Sequence, residues 1–270
     1  LPNQTQPFSG INLCVYENGQ YKVQGEYTNG LKDGVWTGWG KNGIKKIEAI
    51  YILGSLQTET LFSPIHYQKV AQISYLNGIE EFSTIWIYFE NGKLKQAFNV
   101  KDNKRNGGFT QWYLNGNKEY EGNYIDDVAQ GIWRHWHENG KKEEEVMMVN
   151  GERNGTSIHW DENGIKLEEI NYMDGEINGL WRKFHKNGQK LRDRYFEQGK
   201  RVGKEITWHP GGQIAEVGNY KLDKQTGVWT SYYPSGQKME EGIRDDWDRV
   251  GIWTNWYENG QKSSEGAYIH

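Results

Sequence analysis

The sequence has few of the residues that several common classes of protein need. Among 270 residues it has one cysteine, Cys14, which excludes an intrachain disulfide framework and a cysteine-ligated zinc site. No apolar run reaches the roughly 18 residues of a transmembrane helix, and no signal peptide is visible. The 32 basic and 36 acidic residues are interspersed, so nucleic acid is not an expected partner. We expect Cys14 to be a small buried side chain.

Aromatic residues and glycine are abundant instead. The chain has 13 Trp, 17 Tyr, 8 Phe and 34 Gly, although hydrophobic residues make up only 35% of it. Disordered chains are poor in aromatic residues, so this composition indicates an ordered protein. Its apolar surface is carried mainly by rings that glycines separate.

The glycines recur with a period of 24 residues, which identifies a tandem-repeat protein. We take as the anchor of each repeat the last residue of an Asn-Gly-like pair. Two anchors lie upstream of an irregular segment, and the next lies 49 residues later, or two periods plus one inserted residue. The anchors are Gly19, Gly43, Gly92, Gly116, Gly140, Gly164, Gly188, Gly212, Gly236 and Gly260.

Other residue types keep phase with the anchor. A glycine lies nine residues before it, Trp seven before, an aromatic residue four before, Lys two after, Glu five after and Tyr eight after. In the repeat of Gly140, for example, these positions include Trp133, Trp136, Lys142 and Glu145. This many phased positions make the repeat a strong signal.

Each repeat is predicted to be a β-hairpin, because segments rich in Trp, Tyr, Ile and Val flank a turn signal. Turns such as Pro234-Ser235-Gly236 favour a three-residue loop, a type I turn with a glycine bulge, over a two-residue Asn-Gly turn.

This turn predicts the register of each hairpin. It places Trp136 opposite Lys142 and Trp133 opposite Glu145. Cation–π contacts are expected between facing Trp and Lys. The same register pairs Arg134 with Glu144, and it sets the like-charged Arg182 and Arg192 opposite each other.

Strand alternation predicts that the two Trp positions point to opposite faces. The face of Trp136 is expected to carry Ile132 and the Tyr position as well, and water is expected on both sides of the sheet. The fold class is therefore all-β, an elongated single-layer antiparallel β-meander of tandem 24-residue hairpins.

The expected organisation is one continuous repeat domain behind an N-terminal cap. Residues 1–14 form the cap, 15–57 carry repeats, 58–76 are a degenerate repeat with an insertion, and 77–270 carry repeats again. A kink or loop is expected between Thr58 and Tyr75. Open sheet edges at the two ends make self-association through edge strands an expectation.

The repeat unit resembles a known family. Residues 131–145, GIWRHWHENGKKEEE, and residues 251–266, with GxWxxWYENGQKxxEG, resemble the variant MORN repeat of bacterial proteins. From about Val15 to Tyr268, nearly the whole chain, the sequence resembles the YwqK family of antitoxins. The resemblance implies an antiparallel meander, a scaffolding role in protein–protein contact and a toxin as partner. It brings no catalytic motif, cofactor or metal, and membrane association is not expected of so Trp-rich a unit.

Histidines and carboxylates are the residues in this sequence that could form a metal or catalytic site. His135 and His137 share a face, but no cysteine or third histidine joins them, so solvated strand residues are the preferred interpretation over a metal site. The glutamates recur in most repeats, which is typical of a structural charge row and not of a single catalytic pair. No catalytic, cofactor or metal residue is predicted, and the chain is not expected to be an enzyme.

The aromatic position four residues before the anchor is the candidate binding surface. We call its five tryptophans the aromatic row: Trp112, Trp136, Trp160, Trp208 and Trp256. Packing within the sheet is one explanation for them, and an exposed anchor surface for a partner is the other.

Two functions are candidates, one based on the repeat, the lack of a catalytic motif and the family resemblance, and the other on the tryptophan rows and the missing initiator Met. The first is a non-enzymatic scaffold that binds a protein, including an antitoxin or immunity role. The alternative is a secreted or cell-surface protein that binds glycans, adheres or self-assembles. Localisation stays open between the bacterial cytoplasm and, if a signal peptide was removed before Leu1, the cell exterior.

Overall fold

The computed structural model describes residues 6–269, and the first five residues of the predicted cap lie outside this range. The described residues form 23 strands and no helix. Accordingly, none of them belongs to a helix long and apolar enough to cross a membrane. The chain divides into two compact units, one ending at Val128 and one beginning at Ala129. In each unit, successive strands pair antiparallel in chain order, so the predicted all-β antiparallel meander is confirmed.

The strands of the first unit are β1 (Gly10–Val15), β2 (Tyr21–Thr28), β3 (Leu31–Trp39), β4 (Lys45–Ile52), β5 (Ser55–Phe62), β6 (Lys69–Leu76), β7 (Ile79–Tyr88), β8 (Leu94–Lys101), β9 (Lys104–Trp112) and β10 (Lys118–Ile125). The structure describes residues 6–14 of the predicted cap, and most of β1, which pairs with β2, lies within them. Cys14 lies in β1 and is exposed, so the expectation of a buried side chain was wrong.

The strands of the second unit are β11 (Val128–Trp136), β12 (Lys142–Val149), β13 (Glu152–Arg153), β14 (Gly155–Trp160), β15 (Lys166–Met173), β16 (Glu176–Phe184), β17 (Lys190–Glu197), β18 (Lys200–Trp208), β19 (Ile214–Lys221), β20 (Lys224–Tyr232), β21 (Lys238–Asp245), β22 (Asp248–Trp256) and β23 (Lys262–Tyr268). Both β13 and β14 pair with β12, so they form one interrupted strand.

The anchor glycine closes a three-residue loop, as the sequence predicts. In the repeat of Gly140, the His137 amide donates to the Lys141 carbonyl at 2.8 Å, and the Gly140 amide donates to the His137 carbonyl at 2.8 Å. Gly140 has φ of 85°, which a residue with a Cβ rarely adopts. Asn139 also accepts from the Lys141 amide at 2.9 Å and so stabilises the loop.

The inserted residue in the degenerate repeat lies in its turn. Ser63 donates its amide to the Gln68 carbonyl at 2.8 Å, so four residues separate this pair instead of three. The Ser63 hydroxyl accepts from the amides of Ile65 and His66. Strands β5 and β6 pair along their length on either side of this turn. The interruption seen in the sequence is therefore confined to one turn.

A bulge beyond the turn changes the register that the sequence predicted. Trp136 does face Lys142, but the next pair is His135 with Glu144, so Glu143 has no partner residue across the strands. Consequently Trp133 faces Val146 and not Glu145, and Arg134 faces Glu145 and not Glu144. Both latter predictions were wrong by one residue.

The same bulge removes a predicted charge conflict. Arg182 faces Asp193 instead of Arg192, and two hydrogen bonds of 2.7 Å join the two side chains. The like-charged neighbour of Arg192 is Lys183.

A second bulge explains the glycine nine residues before each anchor. Between β17 and β18 the register passes from Asp193–Ile206 to Tyr195–Val202, which leaves extra residues at Gly203. Gly203 has φ of 65°, and the equivalent glycines Gly131 and Gly227 also have positive φ, 74° and 69°. The position needs glycine because the bulge adopts a left-handed backbone.

The core lies on one face of the strands, which we call the packed face. It carries the Trp seven residues before the anchor, and Trp229 and Trp253 are only 2% and 1% exposed. Tyr220 packs edge-on against Trp229, with ring centroids 5.4 Å apart. The Tyr position therefore lies on the face of these tryptophans, and its predicted placement beside Trp136 was wrong. Water on both sides was expected, but at Trp229 and Trp253 the packed face excludes it.

Two of the packed tryptophans, Trp229 and Trp253, each lie over a glycine in the strand before them. A Cβ on Gly218 would be 2.1 Å from Cδ2 of Trp229, and a Cβ on Gly242 would be 2.1 Å from Cδ2 of Trp253. The indole ring thus occupies the space that a side chain would take. Glycine is required here to admit the ring and not to provide backbone freedom.

Candidate functional site

The residues of the aromatic row occupy equivalent places in the fold. Each is the last residue of the strand before an anchor turn, namely β9, β11, β14, β18 and β22. All five are half-buried. Trp112 belongs to the first unit and the other four to the second. They lie on the face opposite the packed tryptophans, which we call the open face.

A lysine from the preceding repeat covers each of three rings in this row. Lys142 Nζ lies 5.1 Å from the ring centroid of Trp160, Lys190 Nζ lies 5.3 Å from Trp208, and Lys238 Nζ lies 5.6 Å from Trp256. The expected cation–π contact was between residues facing each other in one hairpin. These contacts instead join successive repeats, because each ring extends toward the preceding hairpin.

The same lysines hold the glutamates of the repeat. Lys142 Nζ lies 2.8 Å from Glu145 Oε2, and Lys238 Nζ lies 2.7 Å from Glu241 Oε2. The hydrogen bond from Lys142 keeps the pKa of the Glu145 carboxyl below its usual range, and Lys238 does the same for Glu241. These carboxylates are paired elements of the open face.

Beside the aromatic row the open face exposes apolar pairs. The residue eight before the anchor faces the residue seven after it, as in Ile132–Met147 and Val228–Ile243. Val228 is 53% exposed, Ile243 44% and Ile252 62%. The sequence placed Ile132 and its equivalents on the face of Trp136, but it did not single them out as a surface.

The histidines before the turns connect successive repeats. Nε2 of His137, His185 and His209 lies 2.8–3.0 Å from the carbonyl oxygen of Trp160, Trp208 and Tyr232, 23 residues later. Tyr16 and Tyr233 donate their hydroxyls to equivalent carbonyls, each at 2.9 Å. Asparagines in the turns add a parallel link, since Asn139 Nδ2 donates to the Glu162 carbonyl at 2.7 Å. These histidines therefore act as donors between repeats, a role that the sequence analysis missed.

His135 and His137 come together around one carboxylate. Their Nδ1 atoms lie 3.2 and 3.3 Å from Glu143 Oε2. Glu143 is the bulged residue, which the sequence could not place there. Within residues 6–269, no group of three His, Cys, Asp or Glu side chains is arranged to hold a metal ion.

A serine, a histidine and a carboxylate meet where one repeat lacks its packed tryptophan. Ser157 occupies that position, and its Oγ lies 3.0 Å from Glu144 Oε1 and 3.1 Å from His159 Nε2. Arg153 Nη1 also contacts Glu144. Ser157 is 0% exposed, so a substrate carbonyl has no access to its oxygen. The cluster fills the site of a missing indole ring with hydrogen-bonded polar groups.

Recurring hairpins with these two faces define a tandem-repeat protein. Comparison with known proteins relates some of its hairpins to one repeat family. Five segments of the second unit match the family described as the MORN repeat variant: residues 129–150, 153–174, 201–222, 225–245 and 249–270. The five matched segments together cover less than half of the chain. None of the curated proteins matches it.

Solved structures show only distant similarity. A TcdB2–TccC3–Cdc42 structure is 11% identical over 96% of this chain and 18% of that one, with a TM-score of 0.26. A pore structure of the Photorhabdus luminescens Tc holotoxin is 9% identical over 95% and 16%, with a TM-score of 0.17. A porin-like protein from Bacteroides uniformis is 9% identical over 95% and 92%, with a TM-score of 0.15. The chain spans less than a fifth of the toxin chains, and these similarities assign no function.

Proposed function

We propose that this protein is a non-enzymatic repeat scaffold that binds a protein partner through its open face. The observation that carries the proposal is the set of exposed apolar pairs recurring in register on that face, including Val228–Ile243 and Ile252. Contiguous exposed apolar surface on a folded protein usually marks an interaction site.

The aromatic row adds anchors of the type that protein interfaces use. Trp160, Trp208 and Trp256 each present a half-buried ring beside a lysine. Interfaces concentrate their binding energy in a few Trp, Tyr and Arg side chains surrounded by weaker contacts. Ion pairs such as Arg134–Glu145, with 2.9 Å between nitrogen and oxygen, lie between the rings and the apolar pairs. They provide the polar component of such a surface.

The resemblance to the YwqK family extends the proposal to the kind of partner. An antitoxin binds and neutralises a toxin protein, and an immunity protein acts in the same way. A continuous surface made of repeated, nearly equivalent positions suits this task, because it can cover a large area of the partner without a catalytic group.

The first experiment is affinity capture with the purified chain from lysate and envelope of the source cells. The matched variants are Val228→Glu/Ile252→Glu on the open face and Leu53→Glu/Leu222→Glu at turns. All four side chains are more than half exposed, so both variants are expected to fold, which circular dichroism checks. A protein recovered by the wild type and the turn variant, but not by the open-face variant, is the expected result.

The recovered protein is then purified and its dissociation constant measured with each variant. Equal affinity for all of them would overturn the use of the open face. If growth inhibition by the recovered protein is relieved on co-expression, the antitoxin role is supported. Recovery of polysaccharide without protein would replace the scaffold with the glycan-binding alternative, and recovery of neither would leave a structural or self-assembling protein.

A further inference from the structure

The packed face contains a pair of like charges at a position where the other hairpins of the second unit have none. Lys183 in β16 faces Arg192 in β17. In the other hairpins of the second unit, the equivalent pairs are His135–Glu144, His159–Glu168, Thr207–Glu216, Ser231–Glu240 and Asn255–Ser264. Like charges at facing positions destabilise a sheet. Lys183–Arg192 therefore departs from the repeat at a cost in stability.

A third cation lies beside this pair. Arg194 occupies the position that is Val146, Ile170, Gly218 and Gly242 in other repeats of the second unit. Its side chain is 17% exposed. Lys183 Nζ lies 4.8 Å and Arg194 Cζ 5.8 Å from the ring centroid of Trp181. Trp181, Lys183, Arg192 and Arg194 line a cavity of about 50 Å³, which we call the Trp181 notch.

Two carboxylates form ion pairs with the three cations Lys183, Arg192 and Arg194. Glu205 is 5% exposed, accepts from Arg194 Nη2 at 3.0 Å and lies 3.5 Å from Arg192 Nε. Glu168 accepts from the Trp181 indole at 2.9 Å and lies 3.5 Å from Lys183 Nζ. The lining of the notch itself holds three cations and no carboxylate.

One donor in the notch, Arg192 Nε, forms no hydrogen bond, although Glu205 Oε1 lies 3.5 Å from it. This nitrogen is buried. A buried donor without a partner costs free energy, so an acceptor that reaches it is stabilised. The side chains of Lys183 and Arg192 are 41% and 39% exposed, which leaves their terminal groups accessible from solvent.

We infer that the Trp181 notch is an oxyanion site that takes a carboxylate or phosphate group. Arg192 and Lys183 supply the hydrogen-bond donors, Arg194 held by Glu205 adds fixed positive charge, and Trp181 forms the apolar wall. Guanidinium groups bind carboxylate and phosphate with paired hydrogen bonds. The site lies on the packed face and is separate from the surface proposed for the protein partner.

The test follows the Trp181 indole N–H in ¹H–¹⁵N spectra, with its signal identified by its loss in Trp181→Phe. Acetate and inorganic phosphate are titrated separately into the full chain, with chloride at matched ionic strength as the control for screening. The expected result is a saturable shift, beyond that of chloride, at roughly millimolar concentration. Binding tighter by phosphate than by acetate identifies a phosphate ligand, and comparable binding identifies a carboxylate.

Two variants make the test independent of folding. Arg192→Glu gives Lys183 a facing carboxylate, as in several neighbouring hairpins, but also sets that carboxylate beside Glu205. It is expected to fold, which circular dichroism checks, and to weaken anion binding at least tenfold. Lys204→Glu makes the same change of charge at an exposed position and is expected to bind as the wild type does. The inference is overturned if neither anion gives a specific shift, or if Arg192→Glu responds like the wild type.

Discussion

Two neighbouring regions of the packed face solve the same packing problem in different ways. Around β19–β22, glycine lies beneath tryptophan in the Gly218–Trp229 and Gly242–Trp253 couples. Between β17 and β18, the equivalent couple is Arg194 with Glu205. The first couple fits by size and excludes water with a ring, whereas the second fits by charge and hydrogen bonding.

The difference teaches what each couple requires. The glycine–tryptophan couple needs no partner for a charge, and its stability comes from burying a large apolar surface. Burying the charged couple removes two ions from water, which costs free energy. Its net contribution to the stability of the fold is therefore small unless both partners are present. Only the charged couple, however, gives the packed face a polar notch.

Removing a packed ring is expected to cause the largest loss of stability among these changes. Trp229→Ala would leave a cavity over Gly218 and reduce the free energy of unfolding by about 3–5 kcal/mol. Urea unfolding measures the change. Trp247→Ala is the control, because Trp247 is 51% exposed and its loss is expected to cost much less. Equal losses would show that the buried ring does not hold the second unit together.

Breaking the charged couple is expected to cost somewhat less. Glu205→Gln would leave Arg194 without its carboxylate in a mostly buried place and destabilise the protein by about 2–4 kcal/mol. The double change Arg194→Gly/Glu205→Trp transfers the glycine–tryptophan couple to this repeat. It is expected to recover the stability that the single change loses, as measured by urea unfolding. A double variant less stable than Glu205→Gln would contradict the equivalence of the two couples.

Adding one carbon beneath a packed ring is expected to cause the next smaller loss of stability. Gly218→Ala places a Cβ against Trp229 and is expected to cost about 1–3 kcal/mol. Gly266 occupies the same position in the last hairpin, and nothing lies within 4 Å of a Cβ built there. Gly266→Ala is therefore expected to be neutral or slightly stabilising. Thermal unfolding of the two variants distinguishes packing from backbone strain, since equal losses would point to the backbone.

The smallest expected effect concerns Glu216, which lies on the packed face between the two regions. Burial raises the pKa of its carboxyl, although Arg244 acts in the opposite direction. The folded state therefore holds a proton more tightly than the unfolded chain, whose carboxyl titrates near 4.5. Stability from this group is full below that pH and falls as pH rises through the folded pKa.

The Glu216→Gln variant tests that sign. It is expected to be more stable than the wild type at pH 7, and the difference should shrink as pH falls toward 4. Denaturant unfolding across this range is the measurement. A difference that grows on acidification would show that the carboxylate is stabilised in the folded protein.

Much of the fold could be predicted from the sequence because its signals are local. The 24-residue spacing, the Asn-Gly pairs and the prolines before them define hairpins and their three-residue loops without knowledge of any distant contact. The facing pair Trp136–Lys142 follows directly from that loop.

The sequence did not reveal two kinds of feature. These are the register shifts that bulges cause and the contacts that each hairpin makes with the next repeat. The bulge at Glu143 moves every later pair by one residue, and it carries the Tyr position to the packed face. The lysines cover rings 18 residues later, as Lys142 covers Trp160, and such contacts arise only when hairpins lie side by side. One signal was available, since Gly218–Trp229 and Gly242–Trp253 share an 11-residue spacing.

The hydrogen bonds from His137 to Trp160 and from Asn139 to Glu162 both span 23 residues. Each hairpin therefore completes the turn of its neighbour, and a donor meets its acceptor only when the number of residues between them is kept. Loss or duplication of 24 codons would rejoin equivalent halves of two hairpins and restore every such bond. Loss of a few codons within a strand would misalign the donors. Variation in the length of this protein by whole repeats is therefore the least disruptive change available to its gene.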